Sequence, residues 1–323
     1  MPVLAGDIGG THTRLCLAQE NGQNIHFLHE QVYASQQYPD LLSIVNDFLR
    51  DECVDAACLA VAGPVRDQQA NVTNLPWRLE AAQLKKALSV PALSLVNDFE
   101  AVGYGLANLD EDQLLTVQAG EPEAQGRRAL IGAGTGLGIS QLIYQGNAYV
   151  PCASEGGHVG FAPANEEQHR LLQYLQASLD YVCYEHLLSG AGLRRIYEFF
   201  LNQQGTASPF SESILQADDP AVEISRHGLA GDDPLAVQTL DCFIDIYGAQ
   251  AGNVALNYLA TGGVYLAGGI APKIIARLNS ERFLGAFHRK GVMSELMQRF
   301  PVKVIMEEKV GLLGAAACAL QIL

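Results

Sequence analysis

Asp7-Ile8-Gly9-Gly10-Thr11 decides how this chain is read. An apolar run, Val3-Leu4-Ala5, precedes it and another, Leu15-Cys16-Leu17-Ala18, follows. Strand, tight glycine turn and strand is the simplest structure for that pattern. Asp and Gly dominate ordinary turns, so the stretch by itself is equally a plain hairpin. A similar arrangement recurs later and changes the weighing. Ala129-Leu130-Ile131 leads into Gly132-Ala133-Gly134-Thr135-Gly136-Leu137-Gly138, and Ile139-Ser140-Gln141-Leu142 continues from it. Glycine at every other position is more than a turn requires. Two glycine turns at strand ends, each holding a Thr, suit two loops gripping one anion, because backbone N–H groups approach closely where no Cβ intervenes. The natural anion is a polyphosphate. G-x-G-x-x-G fails at Leu137 and Ile139, and no G-x-x-x-x-G-K-[ST] occurs, which excludes the dinucleotide fingerprint and the P-loop.

Composition narrows the class. The 323 residues suffice for two domains of ordinary size. A net charge of −15 with no basic run opposes a nucleic-acid partner. A bound phosphate must then be met by backbone amides, helix N-termini, a divalent metal or a few of the 20 Lys and Arg. Seven cysteines, odd in number, scattered and mostly in apolar runs, read as buried thiols of a reducing compartment. The N-terminus lacks the basic flank and apolar core of a signal peptide. The longest apolar run, Val310 to Leu320, is shorter than the roughly 20 residues a membrane helix needs. No membrane partner and a cytoplasmic location are therefore expected.

The N-terminal third alternates strands and helices. A helical pattern follows Pro39 with Leu41, Leu42, Ile44, Val45, Phe48 and Leu49 on one side. Strands are expected at 57–62 and 93–96, a loop at Gly63-Pro64, and helices near 79–88 and from Asn97-Asp98 to about Leu109. This is a mixed α/β layer domain. Residues 110–128 are polar and acidic and read as the crossover to a second domain. Gln145-Gly146-Asn147 reads as a hairpin turn, and helices dominate from Asn165 to Ala260. A strand at 264–267 ends in Gly268-Gly269, a helix follows Pro272, and a strand at 301–305 precedes a closing helix at 311–320. That last strand and helix are expected to return to the first domain. The expected division is residues 1–109 plus 301–323 for a small α/β domain and 110–300 for a large one.

Several short motifs carry both a plain and a chemical reading. Asn97-Asp98, between strand and helix, is either an N-cap or a carboxylate facing a cleft, placed to accept a hydroxyl proton. Glu155-Gly156-Gly157-His158 offers an acid and an imidazole. No second His or Cys stands at metal-ligand spacing, so side chains reaching the hydroxyls of a polyol fit better than zinc. Glu185, ahead of Ser189-Gly190-Ala191-Gly192, is either a solvated helix residue or another acid at a helix start. Gly262-Gly263 and Gly268-Gly269 bracket a strand, for tight packing or for a flat slot that takes an adenine. Gly311-Leu312-Leu313-Gly314 reads as close helix packing.

In order, these segments resemble the bacterial glucokinase family of ATP-dependent hexose kinases, nearly end to end. The matching stretches are Gly6 to Thr11 with Arg14, Asn97-Asp98-Phe99, Gly132 to Gly138, Glu155 to His158 with Phe161-Ala162-Pro163, Glu185 with Leu188-Ser189-Gly190, Gly263 to Ile270, and Gly311 to Gly314. The resemblance implies a two-domain actin-like (ribonuclease-H-like) ATPase fold with an interdomain cleft. It implies transfer of the γ-phosphoryl group of ATP to the 6-hydroxyl of glucose, with Asp98 as general base. Asn97, Asp98, Glu155, His158 and Glu185 then match the glucose-binding residues. Asp7, Gly9, Gly10 and Thr11 with Gly132, Gly134, Thr135, Gly136 and Gly138 match the two phosphate loops. The resemblance places Asp7 near Mg2+, through water, and Gly268 and Gly269 match part of the adenosine site. A homodimer is also implied. His12 and Thr13 stand where the family often has Asn and Ala, Gly160 replaces a residue that is often polar, and Ala191 one that is often Pro. The related repressor and kinase family carries a Cys-rich zinc motif after its Gly-Gly-His segment, and no such cluster follows His158. Alternatives are a kinase for mannose or N-acetylglucosamine, or a non-catalytic sugar-sensing regulator. A start of the first strand at Val3 leaves no room for the DNA-binding segment of such a regulator.

Overall fold

The computed structural model describes residues 2–22, 24–50 and 52–323. The chain divides into two compact units. The first comprises Met1–Gln113, Gln145–Ala153 and Glu307–Leu323, and the second Leu114–Tyr144 and Ser154–Met306.

A five-stranded sheet runs through the first unit in the order Asn24–Ala34, His12–Asn21, Val3–Ile8, Ala56–Val61, Ala92–Asn97. The first three strands are antiparallel, and the last three run parallel. Alternation along the opening strand sorts its residues between two layers. Leu4 and Ile8 pack with Leu15, Ile44, Val45 and Leu59 on one face. Val3 and Ala5 pack with Cys58, Ala60, Leu312 and Ala316 on the other. That second face is lined by small side chains, so the closing helix Val310–Gln321 lies close to the sheet. It also crosses the helix Asp98–Leu106 closely. A Cβ on Gly314 would overlap the Ala101 carbonyl, and one on Gly105 the Val310 carbonyl. Close helix packing is thus what Gly314 does, as its motif suggested.

The second unit repeats the plan. Leu137–Gln145 pairs antiparallel with Arg128–Ala133, which runs parallel to Gly263–Ala267, and that strand runs parallel to Val302–Ile305. Leu114–Gln118 closes the edge, antiparallel to Val302–Ile305. The long helix Pro234–Tyr258 packs on the sheet, and its buried Tyr247 hydroxyl donates to the Ile131 carbonyl at 3.1 Å. Its start is fixed by Pro234 at the first turn and by buried Asp233. One Asp233 oxygen accepts from the Ala236 amide at 3.0 Å, and the other from Tyr197 and Ser208.

Three elements differ from the sequence reading. Val302–Ile305 sits in the sheet of the second unit, not with the closing helix in the first. Its buried valines fill the slot beside Gly263–Ala267. Leu114–Gln118, inside the polar stretch taken as crossover, is a short edge strand. Val65–Arg66, Gln69–Asn71 and Arg78–Glu80 form a small sheet between the expected loop at Gly63-Pro64 and the helix Ala81–Ala87, taking the first residues of the helix expected near 79–88. Its first turn places Asp67 and Gln68 at φ 50° and 58° without a glycine, so the usual hairpin signature is absent. Gln68 compensates by bonding the Leu95 backbone at both N–H (2.8 Å) and C=O (3.2 Å).

All seven cysteines are free thiols, five of them buried and Cys53 and Cys152 exposed. No helix among the described residues is long and apolar enough to cross a membrane.

Candidate active site

The two glycine turns, Asn97-Asp98 and Gly268-Gly269 lie at the C-terminal ends of strands with parallel neighbours, where α/β sheets present their ligand-binding loops, whereas Glu155, His158 and Glu185 lie on short 3-10 turns and their flanks. Register in the first unit sets Ile8 beside Val61 and Val61 beside Asn97. The turn after Asp7 closes with the Gly9 amide donating to the His12 carbonyl at 2.9 Å. Ser35, fully buried, donates to the Gly9 carbonyl at 2.8 Å and lies 3.0 Å from the Thr13 hydroxyl. Its own amide donates to the Thr11 carbonyl at 2.9 Å. The glycine turn is therefore held from below, and Thr13 takes part in holding it. Gly10 lies close against the Thr73 carbonyl, while Thr11 is exposed.

Asn97 and Asp98 divide the two readings of their motif. Asn97 is the N-cap: its Oδ1 accepts from the Phe99 amide at 2.9 Å and the Glu100 amide at 3.3 Å, and Glu100 completes a capping box. Its Nδ2 donates to the Gly63 carbonyl at 3.0 Å, tying the helix start to the loop after the neighbouring strand. Asp98 is the first helical residue; its Oδ1 accepts from the Phe99 amide at 2.8 Å, and the Asn97 side chain also donates to its carboxylate. Burial pushes its carboxyl up to about 6, against relief from the Phe99 amide, and the charge of Asp7 pushes the same way. Burial also raises Asp7, which Arg14 partly offsets. Two desolvated carboxylates that repel one another give an oxygen-only donor set, which suits Mg2+.

In the second unit the glycine turn is braced from its side. The Gly134 amide donates to the Gly136 carbonyl, and the Gly190 amide to the Gly134 carbonyl, both at 2.9 Å. Glu185 accepts from the Leu137 amide through Oε2 at 2.9 Å, and a Cβ on Gly136 would stand 2.5 Å from that oxygen. Glycine at 136 is thus required by the approach of Glu185. Gly132 pairs with Gly138 across the hairpin, and Thr135 is exposed at its tip. Gly268, at φ 81°, lies against the Ala133 carbonyl, and Gly269 is open to solvent.

The structure brings Glu155, His158 and Glu185 together. His158 Nε2 lies 4.0 Å from both Glu155 Oε2 and Glu185 Oε1. Glu155 precedes a single 3-10 turn, Gly156–His158, which tucks Gly157 against the Leu137 carbonyl. Ser189 caps the helix Gly190–Gln204 and also donates to the Glu185 carbonyl at 2.8 Å, which fixes the Glu185 backbone. Glu185 is half-buried, while Glu155 is mostly exposed. Two carboxylates and an imidazole around one point can accept from and donate to adjacent sugar hydroxyls.

Sequence reasoning missed two supports. Cys183 places its sulfur 3.9 Å from His158 Nδ1 and 3.5 Å from His186 Nδ1. Tyr181 donates to the His158 carbonyl at 3.1 Å. Neither carries a local signal, because both reach His158 from more than 20 residues away. Among the described residues no group of three or more His, Cys, Asp or Glu is arranged to hold a metal ion.

A family model described as Glucokinase matches residues 4–322. The chain belongs to the glucokinase family. A glucokinase of Nostoc sp. is 44% identical over 98% of both chains. A solved glucokinase from an Antarctic psychrotroph superposes with a TM-score of 0.86 at 31% identity, covering 99% of each chain. The solved glucokinase of Balamuthia mandrillaris in complex with glucose has a TM-score of 0.83 at 23% identity, over 98% of this chain and 93% of that one. The chain accordingly has the actin-like ATPase fold of the glucokinases and related sugar kinases.

Proposed function

We propose that this glucokinase-family chain moves the γ-phosphoryl group of ATP to the 6-hydroxyl of glucose, with Asp98 as the base. The observation that carries the reading is the state of Asp98. It is a carboxylate at a parallel-strand end, freed from capping by Asn97 and destabilised as an anion by burial and by Asp7. Such a group is ionised at neutral pH yet ready to take a proton. The hydroxyl proton goes to Asp98, the sugar oxygen bonds to the γ-phosphorus, and the bond from that phosphorus to the bridging oxygen breaks, releasing ADP. Glu155, His158 and Glu185 hold the sugar hydroxyls, and Asn97, whose amide donates to the Gly63 carbonyl and to the Asp98 carboxylate, adds a contact to glucose beside the base.

The turn at Gly9 to Thr11 and the run Gly132 to Gly138 present backbone amides to the phosphates, and Gly268-Gly269 lines the adenosine side. Asp7 would hold Mg2+ through water, and the ion would neutralise phosphate charge when bound. A coupled assay over glucose, mannose and N-acetylglucosamine with ATP, ADP and polyphosphate tests this reading. Glucose with ATP should give the highest kcat/KM by at least tenfold. A clear preference for another pair would overturn it.

A further inference from the structure

A cavity of about 390 Å3 in the second unit shares a wall with the turn that carries Glu155 and His158. Ser154, Gly156, Val159 and Gly160 form that wall, and the end of the long helix, from Gln250 to Tyr258, forms the opposite one. Ile139, Val254 and Leu256 supply an apolar lining, and Tyr184 and Gln250 supply polar atoms.

Both polar residues are largely buried, and their hydrogen-bonding capacity is incompletely used. Tyr184 is 3% exposed and Gln250 4%. The Tyr184 oxygen accepts from Asn253 Nδ2 at 3.2 Å and from the Ala162 amide. With two donors on that oxygen, the hydroxyl hydrogen has no acceptor among the described residues. Gln250 Oε1 accepts from Asn253 Nδ2 at 3.0 Å, and its own amide nitrogen has no partner among the described residues. Both residues line the cavity, so these two donors are left for whatever occupies it.

A cation stands one residue further back. Lys290 Nζ donates to Asn253 Oδ1 at 2.6 Å and to the Ala249 carbonyl at 2.7 Å. Burial pushes its ammonium down to about 8, with no acidic group to offset the shift. Lys290, Asn253 and the two donors form a polarised chain whose open end asks for negative oxygen.

We propose that this cavity binds a small carboxylate, whose oxygens accept from Tyr184 and Gln250 while Lys290, acting through Asn253, balances its charge. The apolar wall takes the carbon skeleton. Occupancy bears on Gly156 and Gly160 on either side of His158, so it shifts sugar affinity, and sugar shifts carboxylate affinity by the same factor. Only that coupling rests on the sugar-binding role of His158.

Calorimetric titration of the full chain, without sugar or nucleotide, tests the site itself. The probes are lactate, succinate and citrate at matched ionic strength, with glycerol and inorganic phosphate as neutral and non-carboxylate controls. At least one carboxylate should bind saturably at one site per chain. Tyr184→Phe and Lys290→Met should each weaken it tenfold or more, and Gln250→Leu serves where Lys290→Met does not fold. No saturable binding of any carboxylate, equal binding of phosphate, or unchanged affinity in the variants overturns the proposal. Such a failure leaves the kinase reading standing, since phosphoryl transfer is assayed separately.

Discussion

Asp98 shows how one residue trades stability for chemistry. Burial pushes its carboxyl up to about 6 in the fold, above the ordinary aspartate value of 3.8. Between those values the folded chain holds a proton that the unfolded chain has released. Stability is therefore lost as pH rises through that window. Asp98→Asn should stabilise the protein at pH 7.5 by ~1–2 kcal/mol, read by urea unfolding, and the gain should shrink near pH 4. Activity runs the other way. A base must be ionised, so kcat/KM should fall as pH drops, with an acid limb near 6. A limb near 4 would place the base elsewhere. The sequence offered Asn97 and Asp98 as equal candidates for the cap, because both residue types favour it. Only backbone geometry assigns the cap to Asn97 and leaves Asp98 at the first helical position.

Glu185 makes a second test at this scale. Its Oε2 accepts from the Leu137 amide, and Oε1 faces His158. Glu185→Gln keeps an oxygen for Leu137 and removes the charge offered to a sugar hydroxyl. Loss of a hydrogen bond to a charged group costs ~1.5–3 kcal/mol, so glucose affinity should fall ~10- to 100-fold in a calorimetric titration. Unchanged affinity would remove Glu185 from the sugar site. In the sequence Glu185 alone read equally as a solvated helix residue, and only the resemblance marked it for the sugar, since its partners lie 27 to 48 residues away.

Among elements, the helix of Asp98 is set by its crossing with the closing helix. Gly314 faces the Ala101 carbonyl, whereas a Cβ on Gly311 would meet only Val102 Cγ2 at 3.9 Å. Gly314→Ala forces the two backbones apart and should cost ~1–3 kcal/mol or more. Because that helix carries Asp98, kcat should fall with it. Gly311→Ala meets no obstacle and should stabilise by ~0.4–1 kcal/mol. Thermal unfolding of the pair reads both signs, and equal effects would dismiss the crossing as the cause. Long periodic elements were legible: the helix Leu41–Leu49, the strand Ala56–Val61 and both glycine hairpins appear where the pattern puts them. Short ones were not. Leu114–Gln118 gains its partner only from Val302–Ile305, far along the chain, and the turn at Asp67-Gln68 breaks the usual residue preference.

For the whole molecule, each unit repeats a hairpin feeding parallel strands, with its glycine turn at the C-terminal end of the strand that opens the hairpin. That repetition was readable from two glycine turns with a Thr in each. The division of the chain was harder to read, because Gln145–Ala153 and Glu307–Leu323 rejoin the first unit from distant positions. Nothing local marks such a return.

Asp98→Asn, assayed by single-turnover phosphorylation of glucose beside a calorimetric glucose titration, bears most directly on the assignment of the base. Positioned general bases contribute ~10²–10⁴ in rate, so transfer should drop about a thousandfold while glucose affinity stays within about threefold. Near-normal transfer in this variant would contradict the account.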